Sequence, residues 1–206
     1  MRILLALALL APLSAQAESW PPYLAEVTGV AADDTLNVRR GPSGSTEDIG
    51  DLTNGSQLEI TGLDGSGKWA RIIWGGEDGW IARRYTREID RPRALDSDMP
   101  VNMHCTGTEP FWSADILPES TFSFIGLEDR DTQYFTVTDS TQSVNYTLDY
   151  AFATLGSAMT GVLHQRECSD GMSESTYAWA LDLVDRRNGG LTLLTGCCTA
   201  LLQDGY

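Results

Sequence analysis

Two histidines and four cysteines carry the side chains best suited to covalent or metal chemistry: His104, His164, Cys105, Cys168, Cys197 and Cys198. His104 adjoins Cys105, and His164 stands four residues before Cys168. A thiolate beside an imidazole is the nucleophile–base pair of a thiol peptidase. The same six residues are also of the types that bind zinc. Two observations argue against both chemistries. The spacing lacks a C-x-x-C knuckle, and neither G-x-S-x-G nor H-E-x-x-H occurs. The chain also opens like an exported protein: Arg2, an apolar run over residues 3–13, then Ala15-Gln16-Ala17, a small-x-small cleavage pattern. An even number of cysteines in an exported chain favours disulfides, and an oxidised cysteine is no nucleophile. No catalytic residue, metal ligand or cofactor is therefore expected. Four cysteines allow three pairings. Joining the neighbours Cys197 and Cys198 to each other would force a strained ring. The expectation is that each reaches back, one to Cys105 and one to Cys168, with the partners left open.

A second chemistry, recognition rather than reaction, rests on Asn37, Arg39, Trp69, Arg71 and Tyr85. In Trp69-Ala70-Arg71-Ile72 the alternation sends Ala70 and Ile72 inward and leaves Trp69 and Arg71 on the open face. Leu36 and Val38 likewise point in while Asn37 and Arg39 point out. Aromatic surfaces give contact area at low entropic cost, and arginine pairs with carboxylates. Together these five residues are the candidate lining of a shallow groove for an extended peptide or glycan.

The elements that must position them are strands. Cleavage after Ala17 removes residues 1–17. The 3–13 run is shorter than the ~20 residues a membrane helix needs, so no membrane span is expected. The chain carries 14 Lys+Arg against 29 Asp+Glu, a net of −15. That balance argues against nucleic acid and anionic lipid as partners. Residues 22–88 contain short alternating runs divided by turn clusters, among them Gly41-Pro42-Ser43-Gly44, Asn54-Gly55, Asp64-Gly65-Ser66-Gly67 and Gly75-Gly76. Gly79 is expected to turn the chain before Trp80 fills the core edge. Residues 89–102, with Pro92, Pro100 and scattered charges, read as a flexible linker. Residues 103–206 hold every cysteine and a second set of strands. Phe122 and Phe124 alternate with Thr121 and Ser123, and Arg187-Asn188-Gly189-Gly190 marks a hairpin. The segment 151–163 is ambiguous, with Gly156 and Gly161 arguing against a helix. The fold class is all-β: a small barrel followed by a disulfide-stapled antiparallel β domain.

The first block also carries a resemblance. Leu36-Asn37-Val38-Arg39-Arg40-Gly41-Pro42-Ser43 resembles the L-N-V-R-x-G-P-S signature of bacterial SH3-like (SH3b) domains, with Leu58, Ile60, Trp69 and Gly79-Trp80-Ile81 following at suitable spacing. The resemblance implies a small, strongly bent β-barrel. Three phrases of the second block resemble a family of uncharacterised exported bacterial domains: Cys105-Thr106-Gly107-Thr108-Glu109-Pro110-Phe111-Trp112, Cys168-Ser169-Asp170-Gly171-Met172-Ser173 and Gly196-Cys197-Cys198. In the first phrase Glu109 is expected to accept backbone hydrogen bonds while Phe111 and Trp112 enter the core. Asp170-Gly171 reads as a turn. The resemblances imply a non-catalytic binding protein, periplasmic or secreted. Its expected partner is a cell-wall component met through the SH3-like groove. The alternative is an envelope protein, for example a cationic wall hydrolase, inhibited or assisted through the second domain.

Overall fold

A computed structural model describes residues 21–94, 96–126, 129–145 and 148–202. The expected leader, residues 1–17, lies outside them. The described chain is all-β apart from two short 3-10 turns. Among the described residues no helix is long and apolar enough to cross a membrane.

The N-terminal unit runs β1 (Tyr23–Val27), β2 (Leu36–Arg39), β3 (Asp48–Leu52), β4 (Gln57–Ile60), β5 (Gly62–Leu63), β6 (Trp69–Trp74), β7 (Glu77–Ala82), a 3-10 turn (Arg83–Tyr85) and β8 (Thr86–Ile89). Two sheets result, in the orders β4-β1-β8 and β3-β2-β7-β6-β5. Period-2 alternation places Leu36, Val38, Ala70, Ile72 and Ile81 in the shared core with Ala25, Val27, Leu52, Leu58 and Ile60. Gly79 is not a turn residue. It sits inside β7, where an added Cβ would lie 2.6 Å from Val38 Cγ1, so it is there for close packing. The turn belongs to Gly75-Gly76, whose φ values are 60° and 86°. Trp80 consequently faces outward and Ile81 takes the core position.

The C-terminal unit runs β9 (Met103–Thr108), β10 (Phe111–Leu117), β11 (Thr121–Gly126), β12 (Gln133–Gln142), β13 (Asp149–Thr154), a 3-10 turn (Leu155–Ser157), β14 (Met159–Cys168), β15 (Tyr177–Asp185) and β16 (Thr192–Ala200). The ambiguous segment is thus the β13–β14 hairpin, turned by Gly156 at φ 69°. Each strand pairs antiparallel with the next, and β16 returns to β9, closing an eight-stranded barrel. Phe122, Phe124, Phe152, Met103, Met159, Leu163 and Leu181 fill its interior, as a barrel of this strand number allows.

Two disulfides form, Cys105–Cys198 and Cys168–Cys197. Neighbours on a strand face opposite sides of the wall. Cys198 therefore points into the barrel, where Cys105 is its direct cross-strand partner. Cys197 points outward and ties down the end of β14.

The same alternation explains most of the C-x-G-x-E-P-F-W and G-C-C phrases. Trp112 lies across Gly107 and Gly196, inside the barrel and stacked on Phe124 at 5.9 Å between ring centres. Phe111, on the other face, is 53% exposed, and Glu109 is exposed in the β9–β10 turn. The expected core place for Phe111 is corrected, since the alternation along β10 gives the inward position to Trp112. A Cβ at Gly196 would stand 2.2 Å from the Thr106 carbonyl oxygen, an atom fixed in the ladder. Gly196→Ala should therefore cost about 2–3 kcal/mol, toward the upper end for overpacking. Urea unfolding checks this, and a loss under about 0.5 kcal/mol would count against the packing account.

Residues 90–102 join the units. Met99 and Val101 are buried against the barrel core. Arg91 turns back to pair with Glu59 of β4, and both are almost fully buried. Glu59 also accepts hydrogen bonds from Trp179 Nε1 (3.0 Å), Thr199 Oγ1 (3.1 Å) and the Ala200 backbone N–H (3.0 Å). Thr176 donates its N–H and hydroxyl to Asp78 (2.7 and 2.8 Å), and the Glu174 N–H donates to the Gly76 carbonyl (3.2 Å).

Candidate functional site

On the N-terminal unit, Asn37, Arg39, Trp69 and Tyr85 converge on one cleft of about 500 Å³. Val30, Asp34 and Arg84 complete its rim. Each wall has its own brace. On β2, the Asn37 amide donates to Asp48, and Arg39 Nη1 donates to the Thr46 carbonyl at 2.9 Å. Thr46 in turn gives its hydroxyl to the Gly41 and Ser43 carbonyls, which locks the bend loop beneath Arg39. At the start of β6, the Trp69 backbone N–H donates to Asp64 Oδ1 at 2.9 Å. A hydrogen bond from the Ser66 hydroxyl, followed by that from the Trp69 N–H, holds the Asp64 carboxyl below its ordinary value of 3.8. The loop after β1 is pinned by Asn54, which accepts from the Val30 N–H (3.1 Å) and donates to the Val30 carbonyl (2.6 Å).

The 3-10 turn supplies the last wall. The Tyr85 carbonyl accepts the Thr28 N–H at 2.8 Å, and the Thr86 hydroxyl caps the Arg83 carbonyl at 2.7 Å. Arg83 turns to the Tyr23 hydroxyl. Arg84 turns the other way, its guanidinium 4.5 Å from the Tyr85 ring centre and its Nη2 donating to the Tyr85 hydroxyl at 3.2 Å. The cleft thus has an aromatic floor and a cationic edge.

Arg71 is not part of it. Its guanidinium lies across Gly62, within 3.0 Å of where a Cβ would stand, and so points toward β5 rather than β2. There it donates to Thr61 Oγ1 (3.2 Å) and the Thr61 carbonyl (3.3 Å), and pairs with Glu167 of the C-terminal barrel at 2.8 Å. Its place is at the junction between the units. Arg84, like Val30 and Asp34, is a lining residue that sequence reasoning missed. It falls after the last alternating strand, and only its position beside Tyr85 hinted at it.

The two histidines sit on the outer wall of the second barrel. His104 Nδ1 meets Asp115 Oδ1 at 2.6 Å, and the Ser123 hydroxyl donates to Asp115 Oδ2 at 3.0 Å. The His104 hydrogen bond, against opposing burial and with help from Ser123, keeps the Asp115 carboxyl below its ordinary value. Asp115 stands between serine and histidine. The hydroxyl therefore bonds a carboxylate and not the imidazole that a nucleophile would require. His164 is held by Asp149 at 3.0 Å and Asp182 at 3.2 Å, one on each ring nitrogen. Among the described residues no group of three His, Cys, Asp or Glu side chains is placed to hold a metal ion.

Residues 34–87 match the family model of the bacterial SH3 domain. That span contains β2 to β7 and six of the seven lining residues named above: Asp34, Asn37, Arg39, Trp69, Arg84 and Tyr85. No curated protein matches the chain.

Proposed function

We propose that the chain, with a bacterial SH3 domain as its recognition unit, is a non-catalytic binding protein of the bacterial cell envelope. Its ligand is an extended component of the cell wall, taken up in the cleft of the N-terminal unit. The observation that carries the reading is the convergence of Trp69, Tyr85, Asn37 and Arg39 on one cleft with independently braced walls. Two disulfides fit an extracytoplasmic setting, since such bonds persist where the surroundings are oxidising.

The test is co-sedimentation of the protein with purified peptidoglycan, beside Trp69→Ala and across a salt series. Trp69 is half-buried at the edge of β6, so its truncation should leave the fold intact. Loss of an aromatic anchor at the centre of a contact is worth ~1.4 kcal/mol or more, so binding should weaken at least tenfold. Equal binding by both proteins would remove the cleft from the reading.

A second reading has its own observation. Phe111, Leu191 and Leu193 of the C-terminal barrel are 53%, 69% and 65% exposed, on a chain with a large excess of acid. Exposed apolar side chains on an acidic body suit a cationic protein partner, such as a basic wall hydrolase. Retention that persists in Trp69→Ala and disappears as salt rises would favour this reading over the first.

A further inference from the structure

We propose that the ligand of the cleft is an extended peptide with a free carboxylate, and that Arg84 is the residue that receives it. The inference rests on the cleft being a binding site and adds what the ligand must carry.

The argument starts from the charge balance. With 29 acidic residues to 14 basic ones, nearly any arginine in this protein can find a carboxylate. Most do. Arg39 lies near Asp48, Arg40 pairs with Glu47 and Glu77, and Arg71 with Glu167. Arg87 pairs with Glu26, Arg91 with Glu59, Arg166 with Asp182, and Arg187 with Asp129 and Asp185. Arg84 breaks the pattern in the one place where a ligand would need it. Its partners are the ring and the hydroxyl of Tyr85, and neither is charged. Among the described residues no carboxylate lies within ion-pair distance of it.

The cation is nevertheless held in place. Stacking on Tyr85 and the bond from Nη2 to the Tyr85 hydroxyl fix the plane of the guanidinium, while Tyr85 itself is fixed through its carbonyl to Thr28. A guanidinium has five N–H donors in a rigid fork, and one bond to a phenol leaves most of them for a planar acceptor. A carboxylate matches that fork with two parallel hydrogen bonds. Arg39, the other cation on the lining, gives one donor to the Thr46 carbonyl and already faces a carboxylate, Asp48, at 4.0 Å. Asp34 also lines the cleft and repels an anion placed beside it. These three side chains confine a ligand carboxylate to the Arg84 end. The aromatic floor of Trp69 and Tyr85 then runs beneath the chain that leads away from it.

The experiment follows Trp fluorescence while the protein is titrated with the N-acetylated stem tetrapeptide of peptidoglycan. One form has free carboxylates and the other has every carboxyl converted to an amide. The proteins are wild type, Arg84→Gln, Arg84→Lys and Trp69→Ala. Arg84 is exposed, and equal melting temperatures will show that its variants fold. The expected result is at least tenfold tighter binding of the acid than of the amide by wild type. Arg84→Gln should abolish the difference between acid and amide. Arg84→Lys should recover part of the difference, because it restores the charge without the fork. Equal binding of acid and amide by wild type, with Trp69→Ala still weakened, would overturn the carboxylate inference and leave the cleft standing. Binding of neither form would overturn both.

Discussion

Replacing Glu59 by alanine should cost the protein about 3–5 kcal/mol, the range for removing one partner of a buried ion pair. Glu59 leaves the N-terminal sheet and ends in the mouth of the C-terminal barrel, only 5% exposed. Four donors converge on it: Arg91, Trp179, Thr199 and the Ala200 N–H. Without the carboxylate, the Arg91 guanidinium stays buried with no counter-charge, its remaining neighbours being the Met103 thioether Sδ at 3.3 Å and the Trp179 ring 5.2 Å away. The Trp179 and Ala200 N–H groups lose an acceptor as well. Urea unfolding of the purified protein gives the number, and a loss below about 1 kcal/mol would sink the account. A double variant, Glu59→Leu with Arg91→Met, should regain much of the loss, since removing both charges leaves nothing unpaired. Glu59→Ala should also loosen the two units from each other, because Glu59 stands on β4 of the N-terminal unit and three of its four donors belong to the C-terminal barrel. Separate melting transitions in calorimetry would be the sign.

The second large effect is expected from the buried disulfide. Cys105–Cys198 joins residues 93 apart, and constraining so long a loop in the unfolded chain is worth about 4–5 kcal/mol on loop entropy. Cys168–Cys197 spans 29 residues and should contribute about 1 kcal/mol less. The paired alanine variants test the order by urea unfolding. The difference should widen further in the same direction, because Cys105 and Cys198 are wholly inside the barrel and their truncation leaves a void. If removal of Cys168–Cys197 proved the more damaging, stability would reside in the loop it anchors and not in barrel closure.

Much of the architecture was legible because it depends on local rules. The alternation of Leu36 and Val38, the glycine-marked turns and the backward reach of Cys197 and Cys198 need only a strand's period of two and the geometry of neighbouring residues. What escaped depends on long-range neighbours. Leu58-Glu59-Ile60 reads as a strand with one solvent-facing acid, and nothing nearby reveals that a second barrel covers it. Gly79 looks like a turn residue until Val38 is seen pressing on it. Arg71 and Trp69 share a face by alternation, yet Gly62 draws the arginine off to the other side. Trp69, Tyr85, Asn37 and Arg39, grouped from the alternation, line one cleft because they lie on one surface of a small barrel. Arg84 followed no period at all.

The return of β16 to β9 has a consequence for how the protein can be approached. An extended chain often docks by adding itself to a sheet as one more strand, drawing on backbone groups that the border strand leaves unpaired. A ring of eight strands has no border, so the C-terminal barrel offers only side chains and loops to a visitor. The two sheets of the N-terminal unit end at β3, β5, β4 and β8. Among the described residues, the free sheet edges open to main-chain pairing therefore lie in the half of the molecule that also holds the cleft.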